Sequence, residues 1–205
     1  PGQETLLADT LDSLIQQLHG EWHLDIVTTL PSPDGLEELP CIGWHTLGKP
    51  EEAKDAIDFL ANARRFDWLF EIPAGARLDP LCLWRLATQA KEQPDARAFF
   101  VDDDCCDNTG KHHSPRFKPG CNPGALQSAD LAGPLCLRLD AWQATGGASR
   151  RDGSPWFAQL LRVAGAFGWT AIKHVPDILI SYPGSFPSDP ESCLIGLIDT
   201  LRDSG

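Results

Sequence analysis

Three consecutive carboxylates, Asp102, Asp103 and Asp104, follow the apolar run Ala98 to Val101. Hard oxygen donors of this kind are what Mg2+ or Mn2+ requires. The apolar run reads as a strand, so the three acids would project from its C-terminal edge, where open α/β sheets gather their ligands. The plainer use of acids in a turn is to cap backbone N–H groups or to hold basic residues close by. Such residues do follow. Lys111, His112, His113, Arg116 and Lys118 are the densest positive cluster in the chain, with Phe117 among them to anchor their loop. Guanidinium and ammonium groups suit a diphosphate, and pairing with the aspartates is the competing use. Asp102, Asp103, Asp104, His113, Arg116 and Lys118 are therefore the candidate substrate-binding residues.

Other chemistry is thinner. Adjacent histidines such as His112 and His113 rarely point at one ion. The seven cysteines, Cys105 and Cys106 among them, include no C-x-x-C pair, which favours reduced thiols over a zinc site or a disulfide framework. Glu71 ends an apolar run and is a candidate acid, with a salt bridge to Arg77 as the duller alternative. The seven tryptophans could stack on sugar faces, although core packing is their usual work.

The charge balance narrows the partners. Seventeen basic against twenty-nine acidic side chains leave a formal charge of -12, a field that repels nucleic acid and anionic lipid. No run approaches the roughly 18 apolar residues of a membrane span, so a soluble, cytoplasmic segment is expected. Methionine is absent and Pro1 comes first, so we expect a piece of a longer protein, with other domains of that parent as partners.

The elements that must position these residues alternate. Helical spacing of Leu6, Leu7, Leu11, Leu14, Ile15 and Leu18 predicts a helix over 5–18. Strands are predicted over 22–29, 41–47 and 68–72, and helices over 50–65 and 80–93, the last stopped by Pro94. A strand over 98–101 leads into the aspartates, and 107–123 reads as a long loop or hairpin. A strand over 135–139, helices over 140–145 and 156–167, strands over 171–174 and 178–182, and a helix over 190–202 complete the chain. Such alternation argues for a layered α/β sheet in one domain over 1–186, with the helix in 187–205 packed on it.

Phe100-Val-Asp-Asp-Asp104, Asp107-Asn-Thr-Gly110, His113-Ser-Pro-Arg-Phe-Lys-Pro119, Asn122-Pro123, Gly133 and Gly146-Gly147 resemble, in order and spacing, a segment of bacterial family 2 glycosyltransferases of the O-antigen and rhamnan type. The likeness extends more weakly over 5–183. It implies a three-layer, Rossmann-like GT-A fold that holds a nucleotide-sugar at the C-terminal ends of its strands, with Mg2+ or Mn2+ where the domain is active, in a protein of surface polysaccharide assembly. It also implies that the family's first strand is missing before the opening helix. Acids are expected where this chain has Val27-Thr-Thr-Leu-Pro31, a metal motif where it has Pro73-Ala-Gly-Ala76, a catalytic base at Trp156 and a histidine at Ser181. The alternative of another class is a non-catalytic module that binds a glycan or docks on a neighbouring domain.

Overall fold

The computed structural model describes residues 3–35, 40–63, 66–128, 131–147 and 155–186. The expected helix over 190–202 lies outside them. Helix α1 (Gln3–Ile15) precedes β1 (Leu24–Thr28) and β2 (Ile42–Thr46), which pair in parallel as a small sheet of their own. A 3-10 turn opening on Pro50 leads into α2 (Ala53–Ala63). Then follow β3 (Trp68–Phe70), β4 (Arg77–Leu78), α3 (Cys82–Glu92), β5 (Ala98–Cys106), β6 (His112–Arg116), α4 (Pro123–Ser128), β7 (Cys136–Arg138), α5 (Leu139–Ala144), α6 (Pro155–Phe167) and β8 (Ile172–Pro183). The main sheet runs β3-β7-β5-β8-β4, with β6 attached to β5. Among the described residues, no helix is long and apolar enough to cross a membrane.

Strand β5 is the axis, and all nine of its residues are buried. Its alternating side chains feed two cores. Phe99 and Val101 pack with Leu78, Leu86 and Leu179 under α1 and α3. Ala98 and Phe100 pack with Leu137, Trp142, Leu160 and Val163 under α5 and α6. Helices therefore cover both faces, giving three layers. Burying a phenylalanine is worth about 1.5–3 kcal/mol, so this strand contributes heavily on both sides.

Four expectations need correction. The strand predicted over 98–101 does not stop at the aspartates but runs through them to Cys106, because β6 returns antiparallel and supplies partners for their carboxylates. The two pieces predicted over 171–174 and 178–182 are one strand, β8, whose pairing with β5 shifts register near Asp102 and so absorbs Pro176. Helix α1 ends at Ile15 and leaves Leu18 70% exposed. The short elements β4 and α4 were not foreseen.

Strand β4 is a sheet edge, and α1 with the turn that follows it covers this edge and its flanks with polar side chains. Thr10 Oγ1 accepts from Gly75 N at 2.9 Å, Ser13 Oγ from Leu78 N at 3.0 Å, and Gln17 Nε2 donates to Asp79 O at 2.7 Å. A helix that meets an edge strand in this way satisfies N–H groups that would otherwise invite another chain.

Candidate functional site

The three aspartates occupy successive positions of β5, and each meets a different base. Asp102 Oδ1 accepts from His174 Nε2 at 2.7 Å and from Lys118 N at 2.9 Å, while the His174 ring stacks on Phe100. Asp103, with no exposed side-chain surface, takes Arg116 Nε and Nη2 in a two-pronged bond at 2.7 Å each, plus Lys118 Nζ at 2.9 Å. Asp104 Oδ2 accepts from His112 Nδ1 at 2.9 Å. The antiparallel return of β6 sets Arg116 directly opposite Asp103, which is why the basic cluster of the sequence lies against the acids.

Lys118 is sealed in. Its ammonium reaches Asp103 and the carbonyl of Ala132, at 2.7 Å, and burial pushes its pKa down to about 8 against the pull of Asp103. Gly133 closes the cluster in a left-handed conformation with φ +65°. A Cβ there would come within 3.4 Å of Asp103 Oδ2 and 3.5 Å of Lys118 Nζ. His113 stands apart, exposed, with Nδ1 3.0 Å from Ser114 Oγ. The six candidates thus divide: Asp102, Asp103, Arg116 and Lys118 form one buried ion cluster, Asp104 is turned to His112, and His113 faces outward. Sequence reasoning missed His174, which lies 72 residues from its partner Asp102.

Magnesium or manganese does not fit the donors present. Asp103 spends both carboxylate oxygens on Arg116 and Lys118, Asp102 Oδ1 is held by His174 and Lys118 N, and Asp104 Oδ2 by His112, which leaves the buried Asp104 Oδ1 as a single unpartnered donor among the described residues. Pro73-Ala-Gly-Ala76 brings no side-chain oxygen. Among the described residues, no group of three His, Cys, Asp or Glu side chains is placed to hold a metal ion. The Pro73–Ala76 loop is instead a turn, Ala76 N to Pro73 O at 3.1 Å, pressed against α1. A Cβ at Gly75, where φ is +95°, would meet Leu6 Cδ2 at 2.9 Å and Pro183 Cγ at 3.2 Å.

Two cavities flank this strand. On one side Glu71, Trp142, Trp156, Gln159 and Arg162 enclose only about 10 Å³, at the lower limit for a single water. On the other side α1, β4, β8 and the β5–β6 hairpin bound about 390 Å³, with Asp9, Asp12, Arg77, His112 and Ser181 on the wall. Arg77 pairs here with Asp9 at 3.0 Å, which corrects the expected bridge to Glu71. Two of the thiols take no part. Burial raises Cys82 far above its ordinary value and Cys136 to about 12, so both stay protonated and inert.

No family model matches the sequence, and no curated protein matches it. Solved structures do. Residues 1–349 of TarS from S. aureus superpose with a TM-score of 0.64 at 10% identity, over 98% of this chain and 60% of that one. The mannosyltransferase PcManGT from Pyrobaculum calidifontis, in complex with GDP-Man and Mn2+, superposes with a TM-score of 0.64 at 12% identity, over 98% of this chain and 61% of that one. The chain has the GT-A glycosyltransferase fold. Its three layers are therefore those expected from the Phe100 to Gly147 likeness, and it spans about three-fifths of the GT-A structures it matches. In such sheets the C-terminal strand ends form the ligand edge, and here that edge carries the larger cavity, beside Cys106 and Ser181.

Proposed function

We propose that this chain is a family 2-like glycosyltransferase domain of a larger bacterial protein of surface glycan assembly, that its metal and base positions are lost, and that it serves as a non-catalytic module binding a glycan. The observation that carries this reading is the narrow pocket at Glu71. Trp156 stands where the family resemblance expects the base, and among the described residues it and Trp142 leave about 10 Å³ beside Glu71, less than a sugar ring needs. An indole cannot take a proton from an acceptor hydroxyl. The rim offers Pro73, Ala74, Gly75 and Ala76, whose side chains cannot bind a diphosphate-bound cation. The fold and the residue pattern from Phe100 to Gly147 support the ancestry.

Calorimetry with UDP- and dTDP-sugars tests the reading. The expected result is no Mn2+-dependent heat at millimolar ligand and no donor hydrolysis. Donor binding that appears on adding Mn2+ and disappears with EDTA would overturn it.

A further inference from the structure

The larger cavity falls within the roughly 300–1,000 Å³ of small-molecule sites, and its wall holds hydrogen-bonding capacity that the fold does not use. His112 Nδ1 is engaged by Asp104 Oδ2 at 2.9 Å and lies 3.4 Å from Ser181 Oγ. Both contacts fall on the same nitrogen, so the trio is no nucleophile relay, which needs one partner on each ring nitrogen. Instead the buried carboxylate fixes the ring, and Nε2 has no partner among the described residues on this exposed residue of the cavity wall. Asp12 on α1 and Gln16 just past its end are exposed on the same wall and make no side-chain hydrogen bond among the described residues. Arg77 gives Nη2 to Asp9 and keeps further N–H groups, with 39% of its side chain exposed.

The chemistry of that inventory selects a ligand. A carboxylate only accepts, a guanidinium only donates, and amide, imidazole and hydroxyl groups do both. Phosphate oxygens only accept; they would confront Asp9 and Asp12 with Arg77 already paired. A hydroxyl donates and accepts at once, so a row of them matches the mixed wall and carries no charge into it. We propose that this cavity binds a neutral saccharide through Asp12, Gln16, Arg77 and the Nε2 edge of His112, and that it does not take a nucleoside diphosphate. The assignment rests on the glycan-binding reading above and places its site.

Saturation-transfer NMR on the full chain tests it with maltotriose, cellotriose and triacetylchitotriose as probes and UDP as competitor. At least one trisaccharide is expected to bind at millimolar concentration. Asp12→Asn and Gln16→Ala should each weaken that binding about tenfold. Both positions are exposed, so circular dichroism should show both variants folded. Silence from all three sugars, indifference to both substitutions, or displacement by UDP overturns the proposal. Mn2+-dependent binding of a UDP-sugar alongside intact trisaccharide binding would instead overturn the non-catalytic reading and spare this site.

Discussion

The two cavities beside β5 differ in what fills them. The one at Glu71 is closed by Trp142 and Trp156 to about 10 Å³; the one under α1 stays open at about 390 Å³, behind polar side chains. Both belong to one sheet, and between them runs a strand whose acids each pair with a basic side chain of a neighbouring segment. A protein interior holds few apolar voids larger than a water molecule. Where large aromatic residues converge they close a pocket, whereas an open one persists where polar groups remain hydrated. On the proposed function, the contrast is that of a ligand edge with one pocket narrowed and another left open on the same fold.

The sharpest way to break the contrast is Asp103→Ala. It strips Arg116 and Lys118 of their shared partner and should cost about 3–5 kcal/mol in urea denaturation, since it leaves uncompensated buried charge. Loosening β6 would also free the His112 wall of the open cavity. Trp142→Ala attacks the other side. Trp142 is 3% exposed, and its truncation should cost about 3 kcal/mol while enlarging the closed pocket, measurable as a lower urea midpoint and as new binding of small apolar probes. Gly75→Ala comes next, at about 1–3 kcal/mol, because an alanine at φ +95° is strained and meets Leu6 and Pro183. Thermal melting would report it.

Lys118→Met sharpens the picture at smaller cost, about 1 kcal/mol, because Asp103 keeps Arg116 while the bond to Ala132 is lost. Its pH dependence is more telling than its size. Burial holds Lys118 at about 8, below the ordinary 10.5, so the folded chain sheds this proton before the unfolded chain does. Stability of the parent relative to Lys118→Met should therefore rise from about pH 8 toward pH 10.5, and the gain should vanish as pH falls through 8. Urea midpoints across that range read it directly. Asp12→Asn, on the open wall, should leave the melting temperature unchanged, within about 0.5 kcal/mol.

Much of the layering was legible from periodicity. Trp68, Leu69 and Phe70, the run from Ala98 to Val101, and the helical spacing in α3 and α6 all fell where apolar pattern put them. The fate of the aspartates was not. Three carboxylates after an apolar run look like the end of a strand, and only the return of β6, with Arg116 opposite Asp103, makes burial affordable. His174 could not be paired with Asp102 from sequence, because a parallel crossover joins residues 72 apart. Nor could the open cavity be read, since its wall combines Asp12 from the first helix, Arg77 from an edge strand of two residues and His112 from a hairpin.

Helix α1 and the turn after it are held to β4 and its flanks by the side chains of Thr10, Ser13 and Gln17, bonds that bridge 62 to 65 residues of chain. It is fastened by rivets rather than welded into a ladder. A sugar seated between this helix and the hairpin would add one more rivet, so occupancy should be felt at the amino-terminal end, as slower amide exchange and later proteolytic nicking, well away from any reacting atom.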